Sequence, residues 1–175
     1  MLNKSAEILI NQSSVDVLTD ITYLFLNIAS ESPGFQGKIL NEPEIISRLY
    51  EICHFDCRKL KENVWKLLIV LTSKDENPVW KLAGKTPFDH EDNSFIFLLN
   101  KCLQDDSQII CYLAAMVAHN LCTYGEEITS IVSRHPLFGR ILMTAVSSVM
   151  NPEAQLLVRK EMMFFLNSLT KFADL

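Results

Sequence analysis

The chain has 175 residues, 49% of them hydrophobic and 21% charged, with a mean hydropathy of +0.15. That much apolar surface excludes a disordered chain, because burial can offset the entropy of ordering. A formal charge of −5 gives no general attraction to nucleic acid or to anionic membranes, so both are disfavoured as partners.

No run of about 18 apolar residues free of charge marks a membrane span. The opening Met1-Leu2-Asn3-Lys4-Ser5-Ala6-Glu7 places a glutamate in its apolar stretch and does not read as a signal peptide. The five cysteines, Cys53, Cys57, Cys102, Cys111 and Cys122, are odd in number and mostly lie within apolar stretches. Without a secretory signal they read as reduced, packed thiols. The expected location is cytoplasmic, with the nucleus as the alternative, and not secreted.

Apolar spacing predicts helices throughout. The first covers about 2–11. A long second helix covers about 15–30, opened by Ser13 with Asp16 three residues on, a capping-box pattern. Its stripe of Val17, Leu18, Ile21, Leu24, Phe25 and Ile28 steps by three and four. Ser32-Pro33-Gly34 ends it.

A short helix from Phe35 to Leu40, a medium one over about 43–53 and a long one over about 57–73 follow, with Asp56 as the expected cap of the last. The next set is expected over about 77–84, 93–104 and 106–124, capped by Asp105 or Asp106 and interrupted by a polar insertion from Lys85 to Asp92. The final set covers about 125–134, 136–149 and 152–173. There Asn151-Pro152-Glu153 supplies a cap residue, a first-turn proline and a favourably placed acid.

The long helices end in similar phrases: Leu26-Asn27-Ile28-Ala29-Ser30, Leu68-Ile69-Val70-Leu71-Thr72, His119-Asn120-Leu121-Cys122-Thr123 and Leu166-Asn167-Ser168-Leu169-Thr170. Aligned on Asn27, Ile69, Asn120 and Asn167, they repeat at 42, 51 and 47 residues, in and around the roughly 40–47 residues of armadillo and HEAT units. The resulting expectation is an all-α, right-handed α-solenoid of about three and a half armadillo-like units. These units cover about 2–31, 33–74, 75–124 and 125–175 and form one domain, either a small domain in itself or a fragment of a longer solenoid.

On these residues the chain resembles the armadillo-repeat superfamily, in the style of importin-α and β-catenin. Tyr23-Leu24-Phe25-Leu26-Asn27-Ile28-Ala29-Ser30 is similar to the third helix of an importin-α repeat, which pairs a tryptophan with an asparagine four residues later. Trp65 keeps the tryptophan but has Ile69 at the asparagine position, while Asn120 and Asn167 follow Met116 and Met163. In the family the third helices line a groove, where asparagines hold a peptide backbone and tryptophans stack on its basic side chains. No unit here carries both residues, and the first residues hold no importin-β-binding basic arm. The resemblance therefore implies a protein-binding groove more than a transport adaptor of the importin-α type.

Residues four apart share a helix face. Tyr23 with Asn27, Trp65 with Ile69, Met116 with Asn120, and Met163 with Asn167 would form a ladder for a protein or peptide segment. The amides suit an extended backbone and the larger side chains suit apolar anchors. The competing assignment puts the asparagines on carbonyls at helix ends and the aromatics in the core. The alternative function is a scaffold using its convex face or ends in a larger assembly, cytoskeletal or centriolar, with self-association through open ends.

Cys53-His54-x-x-Cys57 offers three metal-capable residues but lacks a fourth ligand at familiar spacing, and His119 with Cys122 lies on another element; no metal is expected. The acidic pairs Asp105-Asp106 and Glu126-Glu127, and Asp89-x-Glu91-Asp92, sit at helix starts or in a polar loop. No Gly-rich phosphate loop, Gly-x-Ser-x-Gly elbow or His-Glu-x-x-His motif occurs, so no enzyme activity, cofactor or small-molecule substrate is expected. Arg58, Lys59, Lys61 and Lys66 form a basic run, echoed by Arg159-Lys160. The run is either a solvated helix face or a positive strip for an acidic partner segment.

Overall fold

The computed structural model describes residues 2–73, 95–123 and 126–172. Among them the chain forms ten helices and no strand: α1 (Leu2–Asn11), α2 (Val15–Glu31), α3 (Pro33–Leu40), α4 (Pro43–Ile52), α5 (Arg58–Thr72), α6 (Phe95–Cys102), α7 (Gln108–Thr123), α8 (Glu126–Arg134), α9 (Phe138–Met150) and α10 (Leu156–Phe172). The helix expected over about 77–84 and the insertion from Lys85 to Asp92 lie outside the described residues. No described helix is long and apolar enough to cross a membrane.

The four long helices α2, α5, α7 and α10 lie side by side in that order, forming one row. The shorter helices cover its back. α1 packs on α2 and α4, α3 on α2, α4 and α5, α6 on α7, and α9 on α10, while α8 touches α7, α9 and α10. One continuous apolar cluster runs between the layers, with Phe25, Trp65 and Phe165 among its largest wholly buried side chains. Each such side chain contributes on the order of 1.5–3 kcal/mol of transfer free energy.

Each adjacent pair in the row is also tied by polar groups. The Asn63 amide donates to the Thr19 carbonyl at 3.2 Å. The Asn120 amide donates to the Thr72 hydroxyl at 3.0 Å, and that hydroxyl donates in turn to the Leu68 carbonyl at 2.9 Å. The Thr123 and Ser168 hydroxyls lie 3.4 Å apart. These contacts fix the axial register of packed helices, which apolar burial alone leaves loosely set.

Helix ends are satisfied less locally than the sequence suggests. The box expected at Ser13 and Asp16 does not form: Ser14 is the N-cap of α2 without a side-chain bond, and the Gln12 side chain accepts from the Ser13 and Ser14 amides. Asp56 does not cap α5, whose N-cap is Cys57, again without a side-chain bond. Asp105 does cap its turn, accepting from the Ser107 amide at 2.9 Å. Asn151 ends α9, and its side chain accepts from Glu153 at 3.0 Å inside a turn, so α10 begins at Leu156 rather than at 152.

Ser32 closes α2 and caps α3, whose first residue is Pro33, a position where the missing N–H costs nothing. Arginines serve the far ends. Arg48 donates to the Leu9 carbonyl at 3.2 Å and to the Gln12 carbonyl, binding the end of α1 to α4. Arg159 donates to the Val149 carbonyl at 3.1 Å, binding α10 to the end of α9.

Candidate functional site

The open face of the α2–α5–α7–α10 row is the candidate site. On α2, Asp16, Asp20, Tyr23 and Asn27 are exposed and fall at helical spacing on one side. Tyr23 is 56% exposed. On α10, Met163 is 58% exposed, and Phe164, Asn167 and Lys160 are exposed beside it. Met116 and Asn120 on α7 are half-buried. The expected positions Tyr23, Asn27, Met116, Met163 and Asn167 thus retain solvent-facing surface.

Trp65 requires correction as a partner contact. Its side chain has 0% exposure, and the indole lies beside the Cys102 thiol of α6. The exposed stripe of α5 is displaced by one residue, running through Lys59, Lys66 and the half-buried Glu62 and Ile69. Asn120 is also partly committed, because its amide donates to Thr72 and to the Ile69 carbonyl at 3.5 Å. It ties α7 to the end of α5, in part through a carbonyl near a helix end, as the competing assignment placed the asparagines.

The structure adds residues that the ladder alignment missed. His119 stacks on Phe164, with ring centroids 5.3 Å apart and planes 27° from parallel. Its Nδ1 lies 3.3 Å from the Glu161 carboxylate. Lys160 sits over the same Phe164 ring, its ammonium 5.5 Å from the centroid. Tyr112, one turn before Met116, is half-buried on the same stripe of α7. The signal for Tyr112 was its four-residue spacing from Met116; Phe164 carried none beyond adjacency to Met163.

The basic run of α5 is largely paired. Arg58 meets Glu62 at 3.0 Å, Lys66 meets Glu62 at 3.8 Å, and Lys61 meets Asp105 at 3.8 Å. Exposed pairs of this kind contribute about 0–1 kcal/mol each. Glu62 is shared by two cations, so this stretch of α5 keeps an excess of positive charge on the open face.

A cleft of about 390 Å³ lies elsewhere, between the α6–α7 turn and α9, lined in part by Asp105, Gln108, Cys111, Ser147 and Asn151. Its thiol is not an activated nucleophile. Burial pushes Cys111 up to about 11, with the Asp105 carboxylate adding to the effect, and its S–H donates to the Asp105 carbonyl at 2.9 Å. Burial likewise pushes Cys102 up to about 11 and Cys122 up to about 12, and raises Cys53 well above the usual thiol range. Reactive cysteines need the opposite shift. Among the described residues no group of three or more His, Cys, Asp or Glu side chains is placed to hold a metal ion.

Solved structures share this architecture. A designed armadillo repeat protein superposes with a TM-score of 0.77 at 15% identity, over 96% of this chain and 64% of its own. A computationally designed armadillo repeat protein for modular peptide recognition gives 0.77 at 16%, over 95% and 63%. A third, solved in complex with the peptide (KR)4, gives 0.76 at 15%, over 98% and 70%. The chain spans a little under two thirds of the length of the first two. No family model matches the chain, and no curated protein sequence matches it. The fold is that of an all-α armadillo-repeat solenoid.

Proposed function

We propose that the chain is a single repeat domain that works without catalysis, binding an extended or helical segment of a partner protein along the open face of α2, α5, α7 and α10. The observation that carries this reading is the set of large side chains left solvent-facing on that face: Tyr23 on α2, Met116 on α7, and Met163 and Phe164 on α10. Exposed aromatic and methionine side chains supply adaptable contact area, the usual material of binding surfaces. Asn27 and Asn167 add exposed amides able to donate to and accept from a peptide backbone. That a protein of like fold is solved with a bound peptide supports the reading.

The test is affinity capture from a lysate of the source cells with the wild-type chain and with a Tyr23→Ala/Asn27→Ala/Met163→Ala/Asn167→Ala variant of matched thermal stability. Partners that vanish with the variant support the open face as the site. Equal recovery with both proteins contradicts it.

A second reading, a scaffold joined through its ends, is favoured by where large apolar side chains are exposed. Leaving aside Tyr23, Ile109, Met163 and Phe164 of the open face, among the described residues four are in the first unit, five in the last and none between them. Met143 is 71% exposed and Leu156 76%. Solenoid ends lacking a polar cap associate, so this reading requires oligomers that grow with concentration.

A further inference from the structure

The helices that form most of the open face differ in charge from the chain as a whole, although Lys61 turns to Asp105 and Arg159 to the Val149 carbonyl. The helices α5, α7 and α10 hold seven Lys or Arg and two Glu, a formal net of +5, while the full chain carries −5. Neither of the two acids is free: Glu62 is shared by Arg58 and Lys66, and Glu161 faces His119. Lys59, Lys66, Lys160 and Lys171 are exposed. The middle helix, α7, contains no Asp, Glu, Lys or Arg at all and presents Ile109, Tyr112 and Met116.

Packed helices lie about 8–10 Å apart, so α7 forms an apolar strip with lysines on either side of it. In contrast, α2 carries three acids and no base.

Resting on the groove reading above, we infer that the α5–α10 part of the open face takes a partner segment with an apolar or aromatic centre flanked by carboxylates. The apolar centre covers Tyr112, Met116 and Phe164, and the carboxylates reach Lys66 on one side and Lys160 on the other. A basic peptide is disfavoured, because it would face these lysines with no unpaired acid on α5, α7 or α10 to receive it. Like-charge juxtaposition of this kind suppresses wrong partners, and the matched charge speeds encounter. The acidic stretch at α2 sets the polarity: basic residues of the segment, if present, lie at that end.

Selection from a random dodecapeptide display library against the whole chain tests this inference. The expected winners pair Leu, Phe or Met with flanking Asp or Glu. Their affinity falls at least about tenfold in a Lys66→Gln/Lys160→Gln variant, and falls steeply between low and physiological salt. Winners that are basic or uncharged but are lost on Met116→Glu overturn the charge assignment and leave the groove standing. Winners unaffected by Met116→Glu, or no enrichment at all, overturn both. Tighter binding of single-stranded RNA homopolymers than of any winner, abolished by the double lysine variant, assigns the lysines to nucleic acid and overturns the peptide inference.

Discussion

The Asn120 amide of α7 reaches the Thr72 hydroxyl at the end of α5, 3.0 Å away, while Asn167, at the matching place on α10, is exposed to solvent. Equivalent positions in the repeat therefore have different duties. Asn120→Ala removes a bracket between neighbouring helices, and an unfolding loss of about 1 kcal/mol is expected. Asn167→Ala is expected to stay within about 0.5 kcal/mol of wild type. Urea unfolding of the two variants side by side checks the contrast.

Trp65 is a core residue. Replacing it with alanine removes a wholly buried indole, at an expected cost of about 3–5 kcal/mol. Calorimetry of Trp65→Ala should show a large fall in Tm or failure to fold. A change of less than 1 kcal/mol, on the order of a surface substitution, would place the side chain outside the core.

The thiols should separate into two classes. Cys57 is half-buried, whereas Cys53, Cys102, Cys111 and Cys122 are buried, and burial holds these four in the protonated form. Alkylation by iodoacetamide at pH 8, read by peptide mass mapping, is expected to label Cys57 first. The four others follow only on unfolding, since the thiolate is the reacting species.

The same burial predicts alkaline sensitivity. An unfolded thiol titrates near 9.0, while Cys102 and Cys111 titrate at about 11 and Cys122 at about 12 in the folded chain. Above pH 9 the unfolded state releases protons that the folded state retains, so the stability present at neutral pH is lost as pH rises through 11–12. Tyr50, raised above its ordinary 10.0 by burial, acts in the same direction. Urea midpoints should fall between pH 8 and pH 10.5, and Cys122→Ala should flatten the fall.

Much of the fold is legible in the sequence because apolar stripes at three- and four-residue steps specify helices and their buried faces. The span of α1, Leu2–Asn11, matches its expectation, and α2 and α4 agree to within a residue at their ends. Caps are less legible. Arg48 satisfies the end of α1 from 36 and 39 residues away, a contact no local pattern contains. On α5 the Trp65 and Lys66 stripes differ by one residue, and apolar neighbours flank both. Only the packing of α6 against the indole decides that Trp65 turns inward and Lys66 outward. The open face was legible at Tyr23, Asn27, Met163 and Asn167, whose helices expose them, and not at Phe164, which earns its place by stacking on His119 from another helix.

Site-specific photo-crosslinking distinguishes the open face from the back of the solenoid. p-Benzoylphenylalanine placed at Met116, on the open face, or at Met143, on α9 at its back, is irradiated in the presence of a captured partner or a selected peptide. Binding along the open face predicts a covalent adduct from position 116 and none from position 143. Adducts from 143 with none from 116 would contradict it and move the binding surface to the other side of the solenoid.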